Sequence, residues 1–203
     1  MHRPSLHALL AGSVLVLVTL PGCLDRSEPR SGADGSPPPD TTVEQDAPYI
    51  PTPQWLVDRM LKVANVSADD VVYDLGSGDG RLIITAAKRH GARGVGIEIK
   101  PELVREGRAR ARLVGVSDRV TFRQGNLFDV DLHDATVVTL YLGERVNRRL
   151  RPKLLRQLAP GDRVVSHRFG MGNWTPDRVV TTGGRTIYLW TIPAQPPDSL
   201  LQR

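Results

Sequence analysis

The stretch Val71-Val72-Tyr73-Asp74-Leu75-Gly76-Ser77-Gly78-Asp79-Gly80-Arg81 decides the fold. Its first five residues predict a buried strand, its three glycines predict a turn, and the apolar pattern of residues 81–90 predicts a helix that ends at Gly91. A strand, a glycine-rich turn and a helix can present free backbone N–H groups at the positive end of the helix, which suits an anionic ligand. The stretch therefore predicts a ligand site at the end of a strand in an α/β domain.

The spacing of the glycines argues against a dinucleotide. The dinucleotide pattern G-x-G-x-x-G would place its last glycine at position 81, which is arginine. Asp74 comes two residues before the first glycine, and its carboxylate would repel a pyrophosphate but could bind an ammonium group. A nicotinamide-dependent oxidoreductase is therefore the least favoured class of enzyme.

Three segments, in order, resemble the cofactor motifs of class I S-adenosylmethionine-dependent methyltransferases. Residues 74–80 resemble the first motif, residues 94–99 end a second strand in an acid, and residues 125–128 follow a third strand. The resemblance implies S-adenosyl-L-methionine as cofactor, with Glu98 accepting hydrogen bonds from the ribose hydroxyls. Asn126 stands where the family more often has Asp, and its amide oxygen can still accept from the adenine amine. The cofactor-binding residues implied in these segments are Asp74, Gly76, Ser77, Gly78, Glu98, Asn126 and Leu127.

The segment Tyr49-Ile50-Pro51-Thr52-Pro53 and the helix predicted after it resemble a subgroup related to the ATP synthase c-subunit lysine methyltransferases. This resemblance implies that the segment closes over the cofactor and that Thr52 binds the methionine carboxylate. The alternative is that Thr52 only caps the helix, as threonine often does. The resemblance also favours protein lysine as the methyl acceptor. A small-molecule methyltransferase and a non-catalytic module that binds S-adenosylmethionine are the alternatives.

The order of predicted elements is that of a doubly wound, Rossmann-like α/β sheet. Strands are predicted at residues 71–75, 94–99, 120–124, 135–142 and 163–169, with helices between them and one helix, 54–63, ahead of them. Residues 179–182 and 186–192 flank Gly183-Gly184-Arg185 and predict a closing antiparallel hairpin. The helix predicted over 144–158 contains Pro152, a possible break.

Methyl transfer from a sulfonium requires a near-attack geometry and an acceptor with a free lone pair, but no protein nucleophile and no metal. We therefore expect no metal site. The acceptor should lie beyond the fourth strand, where amide- and adenine-directed enzymes carry an Asn/Asp-Pro-Pro-aromatic tetrad and this chain has Thr139-Leu140-Tyr141-Leu142. The candidate catalytic residues are Tyr141, which could orient an amine, and His167, which could take a proton. Packing roles are the alternative for both.

Two aromatic residues near the end of the fifth strand, Phe169 and Trp174, could form a wall that favours a methylated ammonium. The alternative is that they are core or rim residues.

The amino terminus has a short basic start, an apolar run from Leu6 to Leu20, and then Pro21-Gly22-Cys23. It resembles a bacterial lipoprotein signal, which implies lipidation of Cys23. Residues 24–48 are rich in Pro, Ser, Gly and Asp and predict a linker, and residues 49–203 form the methyltransferase domain. We expect a domain anchored to a membrane and facing the periplasm or the cell exterior. The alternatives are an inner-membrane anchor and a cytoplasmic protein.

The chain carries a net charge of +5 and a sequence pI of about 9.8. Its arginines concentrate on two predicted helices, which indicates either solvated helix faces or attraction to nucleic acid or an anionic membrane. No aromatic stacking platform is interleaved with them, so we expect no nucleic-acid partner. The arginines are Arg105, Arg108, Arg110 and Arg112 on the first helix and Arg145, Arg148, Arg149, Arg151 and Arg156 on the second.

Overall fold

A computed structural model describes residues 49–202. These residues form three layers, a seven-stranded sheet with helices on both of its faces. The strands are β1 (Val71–Leu75), β2 (Arg93–Glu98), β3 (Val120–Gln124), β4 (Val137–Leu140), β5 (Arg163–His167), β6 (Arg178–Thr182) and β7 (Arg185–Thr191). The helices are α1 (Gln54–Val63), α2 (Arg81–His90), α3 (Pro101–Leu113), α4 (Glu144–Gln157) and α5 (Asp198–Leu201).

The sheet confirms the predicted fold class. Its strand order is β3-β2-β1-β4-β5-β7-β6; the first five strands in this order pair in parallel, and β7 pairs antiparallel with β5 and β6. Helices α1, α2 and α3 cover one face with an apolar layer, and α4 with α5 covers the other. The chain reverses the strand order between β1 and β4, and ligands of such sheets bind at that switch point.

The fourth strand is shorter than the sequence predicts, because both of its ends have other roles. The hydroxyl of Thr136 donates to Oδ1 of Asp70 at 2.7 Å and accepts from the N–H of Val71 at 3.0 Å, ahead of the strand. At the other end, Tyr141 and Leu142 leave the sheet and line a pocket. The β-branched run was thus correctly identified as a central strand, but its ends were not.

Helix α4 continues through Pro152 without the possible break. One arginine on this helix contradicts the interpretation of the arginines as members of a solvated face. Arg151 is buried, and its guanidinium donates to the carbonyl oxygens of Met171, Leu200 and Gln202 at 3.1, 2.9 and 2.9 Å. Backbone carbonyl groups need hydrogen-bond donors, and Arg151 supplies one to each of these three instead of facing solvent.

Within residues 49–202 no helix combines the length and hydropathy that a membrane crossing requires. The signal and lipidation predictions, including the one on Cys23, and the predicted linker lie outside the described residues.

Candidate functional site

The glycine turn after β1 is closed by hydrogen bonds to the protein itself. The N–H groups of Gly76 and Ser77 donate to the carbonyl oxygen of Ile97 at 2.8 and 2.9 Å, and that of Gly78 donates to Oε2 of Glu98 at 2.9 Å. Those of Gly80 and Arg81 donate to Ser77 and Asp79. The expectation that these groups are free for an anion is therefore wrong, because three of them donate to β2 and the other two donate within the turn.

A pocket opens at the carboxyl ends of β1, β2 and β4. It brings together all but one of the predicted cofactor-binding residues, namely Thr52, Asp74, Gly76, Ser77, Glu98, Asn126 and Leu127. The exception, Gly78, lies beside the pocket, and a Cβ on it would meet the ring of Tyr49 at 2.3 Å. Tyr141 lines the same pocket, whereas His167 does not.

Three buried carboxylates, those of Asp74, Asp79 and Glu98, line this pocket. Burial raises the pKa of Asp74 to about 7, and the nearby charges of Glu98 and Asp79 act in the same direction. A 2.6 Å hydrogen bond from the hydroxyl of Thr139 opposes the rise. A cation such as an ammonium group would stabilise the ionised form of Asp74, so the site fits the amino-acid end of S-adenosylmethionine.

Asp79 behaves differently because two arginines neutralise it. Burial alone would raise its pKa, but the hydrogen bonds and charge of Arg81 and the charge of Arg110 hold the pKa below its usual range. Both guanidinium groups lie 2.7 Å from Oδ2 of Asp79. Asp79 therefore joins α2 to α3 in the wall of the pocket and was missed as a site residue, although it lies within the glycine motif.

The two polar groups at the other end of the pocket are also fixed in place. Glu98 accepts from the N–H of Gly78 and, at 3.0 Å, from the N–H of Lys100. Oδ1 of Asn126 accepts from the N–H of Phe128 at 3.0 Å, which shapes the loop after β3. Each acceptor oxygen keeps a second lone pair, so the contacts implied for the ribose hydroxyls and the adenine amine are compatible with these bonds.

Residues 49–52 line the pocket on the side of α1, and we call this segment the roof. Nη1 of Arg81 donates to the carbonyl oxygen of Thr52 at 2.8 Å and ties the roof to the glycine turn. Helix α1 has Pro53 at its N-cap and no side-chain capping bond. The alternative role of Thr52 as a helix cap is therefore not seen, and Thr52 lines the pocket instead.

At the β4 side of the pocket, Tyr141 begins a cluster of aromatic rings. Its ring centroid is 4.1 Å from that of His167 and 6.1 Å from that of Phe169. Burial, followed by the charges of Arg185 and Arg168, lowers the pKa of His167 to about 4. His167 is therefore neutral near pH 7, and neither of its ring nitrogens has a hydrogen-bond partner among the described residues.

Trp174 does not join this cluster. It packs against Trp190 at 5.7 Å between ring centroids, and its carbonyl oxygen accepts from Nε1 of Trp190 at 2.9 Å. Of the predicted aromatic wall, only Phe169 lies near Tyr141, and Trp174 takes the alternative role in the core.

Residues 49–202 hold no group of three or more His, Cys, Asp or Glu side chains placed to bind a metal ion. A mostly parallel sheet of this order, with a glycine turn after β1 and a buried acid at the end of β2, defines a class I S-adenosylmethionine-dependent methyltransferase.

The chain belongs to the ANTKMT methyltransferase domain family, whose model matches residues 74–178. It is 49% identical over 150 residues to a protein-lysine N-methyltransferase of Saccharolobus islandicus, covering 71% of this chain and 93% of that protein. It is 34% identical over 147 residues to the ATP synthase c-subunit lysine N-methyltransferase of Xenopus laevis, covering 72% of this chain but 64% of that protein.

Solved structures show the same domain. A Salinibacter ruber protein described as an RNA methyltransferase, in complex with S-adenosyl-L-homocysteine, is 59% identical with a TM-score of 0.73, covering 74% of this chain and 99% of that one. A Geobacter sulfurreducens S-adenosylmethionine-dependent methyltransferase, also bound to S-adenosyl-L-homocysteine, is 26% identical with a TM-score of 0.52, covering 64% of this chain and 51% of that one. The chain is thus an enzyme of this class, and S-adenosylmethionine is its cofactor.

Proposed function

We propose that this methyltransferase modifies lysine side chains of proteins. The observation that carries the proposal is the 49% identity to an archaeal enzyme named for that activity, because the match spans 93% of that enzyme. The ATP synthase c-subunit enzyme of Xenopus laevis and the adenine nucleotide translocase enzyme of Mus musculus, both lysine methyltransferases by name, support the same acceptor.

The acceptor end of the pocket suits an amine. Tyr141 lines the pocket, and Phe169 and the neutral His167 pack beside its ring outside the lining, so an alkyl chain packs well against Tyr141 and a neutral amine needs no counter-ion. Tyr141 orients the amine in this proposal. With a pKa of about 4, His167 is too weak a base to take a proton from an ammonium group, and we assign it a packing role.

The cofactor residues take distinct roles in the proposal. The ionised carboxylate of Asp74 and the hydroxyl of Thr52 bind the amino-acid end of the cofactor, and Gly76 and Ser77 allow it to approach the turn. Glu98 binds the ribose hydroxyls, with Gly78 orienting its carboxylate through the 2.9 Å hydrogen bond. Asn126 and Leu127 receive the adenine.

RNA is the second candidate acceptor, because the Salinibacter ruber structure with 59% identity is described as an RNA methyltransferase. The purified full chain, methyl-tritiated S-adenosylmethionine and a lysate of the host lacking the gene would separate the candidates. We expect a labelled protein band that survives ribonuclease, disappears with protease and is absent with Glu98→Ala. Label that ribonuclease removes would establish RNA, and label confined to the organic extract would establish a small molecule. No label in any fraction would favour a module that binds the cofactor without turnover.

We also propose that the chain is anchored to a membrane through a lipid on Cys23, as its resemblance to a lipoprotein signal implies. Residues 24–48 would then tether the methyltransferase domain, residues 49–203. An exported domain would meet little S-adenosylmethionine, which is made in the cytosol, so the side of the membrane that the domain faces decides its access to cofactor.

A further inference from the structure

The first turns of α4 lie beside the end of the pocket to which we assign the acceptor. Tyr141 lines the pocket just after β4, and α4 begins three residues later at Glu144. Val146, in the first turn of the helix, lines the pocket as well. We therefore expect a macromolecule whose amine reaches Tyr141 to pass close to the exposed side chains that flank Val146 on α4.

Arginines of α4 form a surface groove next to this part of the pocket, and we call it the arginine groove. The guanidinium of Arg149 lies 4.1 Å from the ring centroid of Phe128, and Phe128 lines the pocket, so one aromatic ring joins the pocket to the groove. At Gly172 a Cβ would stand 2.8 Å from Cδ of Arg148, so the glycine allows the arginine stem to approach the backbone. The residues that line the groove are Arg145, Arg148, Arg149, Arg151, Gly172 and Asn173.

The arginine groove holds more positive than negative charge. Arg151 is buried, and the partners of its guanidinium are three backbone carbonyls and Oδ1 of Asn173, all of them neutral. Because arginine stays protonated in proteins, Arg151 adds a full positive charge to the wall of the groove. Arg148 is exposed and forms no ion pair with another residue of the range 49–202. The exposed acids nearest to the groove along the chain are Glu144 and Asp129, two against four arginines.

We propose that the arginine groove binds an acidic segment of the acceptor protein, close in sequence to the lysine that is methylated. The inference rests on the proposed function and adds the kind of protein segment that the enzyme selects. Guanidinium groups bind carboxylates through paired, charge-assisted hydrogen bonds. Arg145 and Arg149 are about 6 Å apart along the helix axis, roughly the length of two residues of extended chain. One or two acidic side chains a few residues from the lysine therefore fit the groove.

Two other anionic partners fit the arginine groove less well. Proteins that bind unpaired RNA stack its bases on aromatic side chains, and none of the described residues that line the groove is aromatic. Helices that bind an anionic membrane combine basic residues with an exposed apolar face. In the described part of the chain the large exposed apolar residues all lie outside the groove, namely Tyr49, Ile50, Trp55, Leu113 and Val179. An acidic protein segment requires neither feature.

The test reverses charge in the groove and in the acceptor. In the full chain, Arg148→Glu and Arg148→Gln are compared with Arg105→Glu, which changes the charge of an exposed residue on α3, at the other face of the sheet. The acceptor is the host protein labelled in the lysate experiment, purified, with its methylated lysine located by mass spectrometry. Initial rates give kcat and the KM for this protein. Calorimetry gives the affinity for S-adenosylmethionine, and thermal unfolding checks that each variant folds.

We expect Arg148→Glu to raise the KM for the acceptor about three- to tenfold, because it removes one ion pair and adds a repulsion. Arg148→Gln should raise the KM less, and Arg105→Glu should match wild type. The kcat and the cofactor affinity should be unchanged in all three variants. Replacing the acidic residues beside the methylated lysine with lysine should raise the KM of wild type and restore part of the loss in Arg148→Glu. Added salt should reduce the difference between the two enzymes.

Several results would overturn the inference. They are a methylated lysine with no acidic residue near it in sequence, an equal KM in Arg148→Glu and wild type, and an equal rise in KM with Arg105→Glu. A lower kcat at unchanged KM would show that α4 acts on the pocket rather than on binding. In the Cys23→Ser background, cosedimentation with phosphatidylglycerol vesicles that Arg148→Glu abolishes, at unchanged KM, would assign the groove to a membrane. If ribonuclease removes the label, the proposed function itself fails and the groove is assigned to RNA.

Discussion

Asp74 and Thr139 face each other on adjacent parallel strands, and the Thr139 hydroxyl donates a 2.6 Å hydrogen bond to Oδ1 of Asp74. No basic side chain acts on the carboxylate, so burial, together with the charges of Glu98 and Asp79, raises the pKa of Asp74 to about 7, and only the hydrogen bond from Thr139 opposes the rise. In the absence of cofactor, Asp74 is therefore a destabilising residue that is retained within the pocket, a pattern common at functional sites.

The first prediction concerns Asp74→Asn. The folded-state pKa of about 7 lies above the ordinary 3.8, so the stability contributed by the protonated form is complete near pH 4 and is lost as pH rises through 7. We expect the variant without cofactor to be about 1–3 kcal/mol more stable than wild type at pH 8, with little difference near pH 4. Urea denaturation at both pH values checks this. Calorimetry should show weaker cofactor binding, and equal affinity would contradict the assigned role.

Glu98→Ala should weaken S-adenosylmethionine binding by about 1–3 kcal/mol, the usual cost of losing charge-assisted hydrogen bonds. Isothermal calorimetry measures the loss. The substitution also removes the acceptor of the Gly78 and Lys100 N–H groups, so its effect on folding must be measured separately. Glu98→Gln, which keeps one acceptor oxygen and the side-chain volume, is the matched control. Its affinity for S-adenosylmethionine should lie between those of wild type and Glu98→Ala. Unchanged affinity in both variants would remove Glu98 from the cofactor site.

Gly78→Ala should displace the roof. Its φ is +54°, and the added Cβ would stand 2.3 Å from the ring of Tyr49. Gly115→Ala is the control, because Gly115 also has positive φ, +74°, but a Cβ there would meet nothing within 4 Å. Both should lose stability by roughly 1–2 kcal/mol from backbone strain. A loss of cofactor affinity is expected for Gly78→Ala alone; equal affinity in the two variants would show that Tyr49 does not bear on the pocket.

Asp70→Ala should be the most destabilising of these changes. Asp70 is buried, pairs with Arg163 on β5, and accepts from the Thr136 hydroxyl at 2.7 Å and the Ser67 N–H at 2.8 Å. We expect a loss of about 3 kcal/mol, because the substitution leaves a partly buried guanidinium without its partner.

The pH dependence gives an independent check on Asp70. Although burial opposes it, hydrogen bonds from Arg163, Thr136 and Ser67 hold the pKa of Asp70 below 3.8. Its stabilisation is therefore present above that value and is lost as pH falls through the lowered pKa. Denaturation curves at pH 7 and pH 3 should show a smaller difference between wild type and variant at the lower pH.

Cys23→Ser should abolish lipid labelling and slow processing of the signal, if Cys23 is the lipid acceptor. Metabolic labelling with palmitate in the host checks the first effect, and the size of the mature chain checks the second. Normal palmitate incorporation in the variant would refute the lipidation of Cys23.

Features that depend on residues close together in the chain could be predicted from the sequence. Contacts between residues far apart in the chain could not. The glycine motif, the acid at the end of β2 and the alternation of elements predicted the sheet, and seven of the eight predicted cofactor-binding residues line the pocket. The pairing of Asp70 with Arg163 joins residues far apart in the chain, and no spacing rule connects them. The burial of Arg151 could not be read from an arginine-rich helix, since two of the carbonyl groups that it binds come from the last residues of the domain.

Arg168 follows β5 in a tight turn with a φ of +71°, and this turn was missed for a different reason. Arginine carries no local preference for positive φ, so residues 163–169 were interpreted as one continuous strand. The turn is imposed by Asn147 and Ser166, which act from α4 and from the buried side of β5. Tertiary contacts overrode local propensity there, as they commonly do where backbone strain persists.

The hydrogen bond from Arg81 to the carbonyl of Thr52 has a kinetic consequence. The same guanidinium is bound to Asp79, so the roof is fastened to a rigid ion pair at the base of the glycine turn. Lifting residues 49–52 would break this hydrogen bond and the side-chain hydrogen bonds that join Tyr49 to Asp79 and Arg81. We therefore expect the residence time of bound cofactor, and of the spent product after each turnover, to depend partly on how often these hydrogen bonds open.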